Sequence, residues 1–153
     1  MKNLFLKSLL SILFIHQVSA VILFSESHVG IDFDDVAFDF EIHDIRKQDK
    51  KLLTLNSKVN KGNSFELANL DGVTTQEQLI KECESLKAEF DNAEMKNGDG
   101  FCQLVGSTKE GRRTVRFVMN KEKKKVYILN GKSKDKDSLK SEFDTLVSDL
   151  QTF

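Results

Sequence analysis

Three short runs with strand character lie close together, at residues 101–105, 112–119 and 125–129. The turns between them hold four to seven residues, too few for the helical crossover that parallel neighbours require. They therefore predict an antiparallel meander. In the middle run Val115, Phe117 and Met119 alternate with Thr114, Arg116 and Val118, so one face is apolar and the other carries arginine. An apolar face needs a cover, and the preceding segment supplies one. Leu79, Cys83, Leu86 and Phe90 recur at spacings of four, three and four, on one side of an amphipathic helix with Ile80 at its margin. Glu77, Lys81, Glu84, Lys87 and Asp91 take the wet side. Thr75 and Gln78 have the spacing of a capping box. The helix is expected to run to about Met95, where Lys96-Asn97-Gly98-Asp99-Gly100 stops it.

The chain starts with a leader-like segment. Lys2 and Lys7 precede an apolar run from Leu9 to Ile15, and Val18-Ser19-Ala20 has the small residues that a signal peptidase reads. Residues 1–20 are thus expected to be a cleaved signal peptide, and 21–153 a single secreted domain. Lys7, His16 and Gln17 weigh against the alternative, an uncleaved anchor prolonged by Val21-Ile22-Leu23-Phe24. Ten of the twelve phenylalanines lie after residue 20, each contributing about 2 kcal/mol when fully buried, so a sizeable core is within reach. Cleavage removes two lysines and leaves a modest acidic excess, unremarkable for a soluble domain. An oxidising route makes Cys83–Cys102 the natural disulfide, closing a loop whose entropy is worth about 3 kcal/mol.

Residues 21–70 look β-rich. Ile31 and Phe33 point one way, and Val36, Phe38, Phe40 and Ile42 carry the alternation on in the other phase, as a bulge or tight bend at Asp34-Asp35 would produce. Turns around 47–50 and 60–63 lead to Leu53 and Leu55, then to Phe65 and Leu67. A last helix is expected from about Asp137 to the end, with Leu139, Phe143, Leu146, Val147, Leu150 and Phe153 as its stripe, packed beside the first helix. The fold class is α+β: an antiparallel sheet of two meanders, roughly six strands, covered by two amphipathic helices.

Charge is the strongest pattern. Seven acidic residues and no lysine or arginine occupy 26–44, whereas eleven basic residues face three acidic ones over 109–136. This asymmetry suggests a basic face formed by Arg112, Arg116, Lys123, Lys124 and Lys125, lining one edge of the domain and attracting an anionic partner. Mutual neutralisation of the two charged regions on neighbouring strands is the competing arrangement. The expected partner is a protein or an anionic polymer. Nucleic acid is disfavoured, because single-strand binders interleave stacking aromatics with their cations and only Tyr127 lies nearby.

Other chemistry is thin. Asp32, Asp34, Asp35 and Asp39 lack the EF-hand series, as does the 97–100 turn, and His28 and His43 lack zinc spacing from the cysteines, so no metal or cofactor is expected. His43, with Glu41 and Asp39 on the outward face of one strand, is the only acid–base candidate for a hydrolase alternative. No activated nucleophile accompanies it, and no catalytic residue is assigned. Gln103-Leu104-Val105-Gly106 resembles the Gln-x-Val-x-Gly hairpin with which cystatins enter papain-like protease clefts, with Ser107 at the position of the motif's glycine. The resemblance implies a second alternative, a secreted cysteine-protease inhibitor acting through this hairpin. The leading expectation is a non-enzymatic binding or effector domain.

Overall fold

A computed structural model describes residues 19–43, 50–134 and 136–153. Residues 1–18, most of the expected signal peptide, and 44–49, where most of the expected 47–50 turn falls, lie outside them. The described residues form, in order, β1 (Ser19–Phe24), β2 (Val29–Asp34), β3 (Phe38–Ile42), β4 (Lys51–Ser57), β5 (Ser64–Leu70), α1 (Gln76–Leu86), β6 (Asn92–Gly98), β7 (Phe101–Thr108), β8 (Gly111–Asn120), β9 (Lys125–Ser133), α2 (Lys136–Ser148) and β10 (Leu150–Thr152). Seven strands make one antiparallel sheet in the order β3-β4-β5-β9-β8-β7-β6. The other three make a small sheet, β1-β2-β10. The α+β class and the β7–β8–β9 meander agree with the sequence; the strand count and the arrangement of two meanders do not.

The first helix starts as its residues dictate: Gln78 N donates to Thr75 Oγ1 at 3.2 Å, and Thr75 N donates to Gln78 Oε1 at 3.2 Å. It ends nine residues before Met95, however, passing through a 3-10 turn at Lys87–Glu89 into extended backbone at Phe90. Residues 92–98 pair along their whole length with β7. Ala93 and Met95, which suit a helix, gain more as a strand, because alternate positions pack on the α1 side of the sheet while the backbone joins a ladder. The reversal also satisfies the disulfide. Asn97 sits opposite Cys102 across the Gly98–Gly100 turn, and Cys102 meets Cys83 with their Cα atoms 6.4 Å apart.

The two helices lie on opposite faces of the large sheet, where the sequence suggested one shared face. The cause is β9. Val126-Tyr127 are both buried, and Val126 and Ile128 pack with Leu79, Cys83, Leu104, Val115 and Phe117 under α1. Tyr127 and Leu129 pack instead with Leu139, Phe143 and Leu146 of α2, together with Phe65, Leu67, Ile31 and Phe33. A strand apolar on both faces is a central strand covered twice. The small sheet completes the α2 layer, with Ala20, Ile22 and Phe24 turned towards that core. The phase change at Asp34-Asp35 is the point where the chain leaves the small sheet for the large one. Asp34 Oδ1 accepts from Val36 N at 2.9 Å to shape that turn. Phe38 is buried beyond it, whereas Phe40 and Ile42 are about half exposed on the edge strand. The chain after Ser148 is also not helical: β10 pairs Leu150 with Ile31, and Phe153 stacks edge-on with His28.

Glu142 of α2 is tied to the β4–β5 turn. It accepts hydrogen bonds from Ser57 Oγ (2.6 Å), Asn60 Nδ2 (2.9 Å) and Asn63 Nδ2 (2.7 Å). Ser57 and Asn63 are themselves buried, so the carboxylate satisfies polar groups that water reaches poorly.

Candidate functional site

Three arginines leave β8 on two faces. Arg113 points to the α1 side, where Nη1 meets Glu89 at 2.6 Å, Nε donates to Asn130 Oδ1 at 3.0 Å, and the guanidinium lies over the Phe90 ring. Its charge is used within the fold. Arg112 and Arg116 leave on the α2 side, opposite Val115 and Phe117 as the alternation predicts. Arg112 Nη1 donates to Ser107 Oγ at 2.9 Å, and Arg116 Nη1 donates to Gln103 Oε1 at 2.9 Å, each across a directly paired position of β7. Arg116 also stacks on Phe101 with its Cζ 4.0 Å from the ring centroid. Burial pulls its pKa below the usual arginine range and Asp144 opposes the shift. It stays a cation at neutral pH.

The lysines of the β8–β9 turn are set apart from these two. Eight strand residues at about 3.4 Å each place that turn about 27 Å from Arg112. There Lys125 Nζ donates to the Glu26 carbonyl at 2.7 Å, and Lys121 pairs with Asp99. His28 lies near, its pKa lowered by desolvation first and then by the charges of Lys125 and Lys123. Arg112, Arg116 and Lys123-Lys124-Lys125 are therefore spread along the whole length of β8, with Arg112 and the lysine turn at its opposite ends. β8 is an inner strand, with β9 on one side and β7 and β6 on the other.

Arg112 instead joins a cleft at the opposite end of the sheet, about 670 Å³ in volume, lined also by Lys109, Arg113, Lys132 and Lys134 against Glu89, Asp91 and Glu110. Lys132 sits directly opposite Arg113 across the ladder, and with Arg113 paired to Glu89 it is Lys132 that adds positive charge to the cleft. Lys109, Lys132 and Lys134 were counted in the basic stretch but not singled out; only the β8–β9 register brings them to Arg112. Further along the same face, Gln103, Val105, Thr114, Leu139 and Phe143 enclose a smaller pocket of about 180 Å³, with Arg112, Lys140 and Asp144 at its mouth.

The acidic and basic stretches do not pair with each other among the described residues. Among the described residues no ion pair joins 26–44 to 109–136: Asp39 pairs with Lys58, and Arg113 and Lys121 pair with Glu89 and Asp99. For residues 38–42 the seven-stranded order explains this, because β5 and β4 stand between β9 and β3; at the other end Lys125 reaches the backbone carbonyl of Glu26 and not its carboxylate.

Two alternatives lose their geometry. His43 Nε2 lies 2.7 Å from Thr54 Oγ1, a hydroxyl and not the carboxylate that would orient an acid–base imidazole. Gln103 to Gly106 lie inside β7, paired to β6 on one side and β8 on the other, with Leu104 fully buried. They form no hairpin tip that could enter a cleft. Gly106 has a structural reason instead: a Cβ there would stand 1.9 Å from the Asn92 carbonyl oxygen.

No family model matches the sequence, and no curated protein is similar to it. Solved structures are similar in fold. The solution structure of PsbP (CyanoP) from the cyanobacterium Synechocystis sp. PCC 6803 superposes with a TM-score of 0.59 at 13% identity, over 90% of this chain and 94% of that one. The Saccharomyces cerevisiae Ran-binding protein Mog1p superposes with a TM-score of 0.52 at 6% identity, over 89% of this chain and 96% of that one. At these identities the likeness establishes a shared architecture, an antiparallel sheet layered between helices.

Proposed function

We propose that this protein is a small secreted binding module, without catalytic activity, that engages an anionic partner through the α2 face of β8 and the adjoining cleft. The observation that carries the reading is the excess of positive charge at one opening, where Lys109, Arg112, Lys132 and Lys134 gather against Glu89, Asp91 and Glu110 while Glu89 is already paired with Arg113. Such a concentration of one sign steers oppositely charged partners and raises their encounter rate. A protein partner is favoured over a polymer, since Mog1p, with the same architecture, is a Ran-binding protein. Secretion rests on the leader pattern and on the disulfide, which oxidising compartments maintain.

Chromatography on immobilised heparin, a generic polyanion, tests the electrostatic reading. The wild type is expected to elute well above 0.15 M salt, and Arg112→Glu with Arg116→Glu to elute markedly earlier with an unchanged far-ultraviolet spectrum. Wild-type elution at or below about 0.15 M, where exposed charges are screened over roughly 8 Å, refutes it.

A further inference from the structure

Resting on that reading, the geometry points to the chemical class of the partner: we infer that the groove beside α2 takes an extended peptide of the pattern acidic-x-apolar-x-acidic. Arg112, Thr114 and Arg116 occupy every second position of β8 and so project on one face, with the two arginines about 13 Å apart. An extended peptide has the same period. Its residues i, i+2 and i+4 face one way, and the carboxylates at i and i+4 match the spacing of the two guanidinium groups. Over Thr114 lies the small pocket, about 180 Å³, lined by Val105, Leu139 and Phe143 together with Arg112 and with Gln103, the hydrogen-bond partner of Arg116. An apolar cavity of about 150 Å³ accepts a benzene ring, so this one has room for a leucine or phenylalanine side chain at i+2.

Both arginines are held in place before any ligand arrives, by Ser107 and by Gln103 with Phe101, which lowers the ordering cost of a charge-assisted contact. At the pocket mouth Asp144 is paired with Lys140 at 2.6 Å, so Arg112 and Arg116 leave the groove net positive and charge complementarity selects the occupant. A sulfated polysaccharide would satisfy the arginines and leave the apolar pocket without a guest, whereas this peptide fills all three positions.

The probe is a fluorescein-labelled Glu-Ser-Leu-Ser-Glu peptide, capped at its free end, with two companions carrying glycine in place of leucine or glutamine in place of both glutamates. Fluorescence anisotropy against the full secreted protein is expected to give at least tenfold tighter binding for the leucine peptide than for either companion. Val105→Phe, which fills the pocket from within, is expected to erase the leucine–glycine difference while salt dependence persists. As a readout independent of any variant, amide shifts of Val105 and Thr114 in the wild type should move with the leucine peptide and stay still with the glycine one. Leucine and glycine peptides that bind within twofold of each other overturn the inference. The heparin result then separates the two levels: retention that depends on Arg112 and Arg116 leaves the anionic-partner reading standing, and its loss removes both.

Discussion

Glu142 should be the most consequential polar residue in the domain. Replacing it with alanine removes the acceptor of three hydrogen bonds at 2.6, 2.9 and 2.7 Å and strands donors on Ser57 and Asn63, which are 7% and 3% exposed. Hydrogen bonds to a charged group contribute about 1.5–3 kcal/mol each, but the three share one half-buried carboxylate and are not additive. Asn63 also keeps a second partner, Ser138 Oγ at 3.2 Å, and Ser57 Oγ still accepts from Asn60 N. The expected loss is therefore about 2–4 kcal/mol in total, a fall in Tm on the order of 10 °C for a domain of this size. Glu142→Gln keeps one oxygen acceptor without the charge and should lose about half as much. Urea unfolding followed by circular dichroism at constant m-value measures both. A loss below about 1 kcal/mol for Glu142→Ala would mean that α2 is held to the β4–β5 turn by packing alone, and the argument from satisfied buried donors would fail.

Secreted material should begin at Val21 by intact mass and show no thiol that alkylates before reduction; a retained leader or two free thiols refutes the processing reading. Tyr127, the chain's single tyrosine in a chain without tryptophan, is buried with its hydroxyl donating to the Ser27 carbonyl, and desolvation raises its pKa. Because the folded-state pKa lies above the unfolded value of about 10, the phenol's contribution to stability is whole below that pH and is lost as pH rises towards the folded value. Absorbance at 295 nm should therefore titrate later in native protein than in urea, and coincident midpoints would place the ring in water.

The parts of the fold that the sequence made legible are those set by local pattern. The capping box of Thr75 and Gln78 and the alternation of Val115 and Phe117 rest on neighbours a few residues away, and the pairing of Cys83 with Cys102 follows from the chain having two cysteines. What escaped was decided at a distance. Ala93 and Met95 favour a helix until β7 offers a ladder, and Leu150 continues the spacing of Leu146 until β2 offers another. The opposite placement of the helices was written in Val126-Tyr127-Ile128-Leu129, four apolar residues in a row, which a single covered face does not require. The site divided in the same way. Arg112 and Arg116 follow from period two, while Lys109, Lys132 and Lys134 converge with them only through register.

The small sheet has a kinetic meaning. Ile31 on β2 waits for Leu150 on β10, and Phe65 on β5 waits for Gly131 on β9, so the inner strands of both sheets are completed by chain that comes much later. Contacts of such separation close large loops before they return any stabilisation, and they slow folding accordingly. Until then β2 keeps one ladder edge open, and Val29, Ile31 and Phe33, destined for the interior, are without their α2 cover. The meander β7–β8–β9, whose neighbours in the ladder are neighbours in the chain, is free to assemble first and to serve as the template on which the earlier half of the molecule settles.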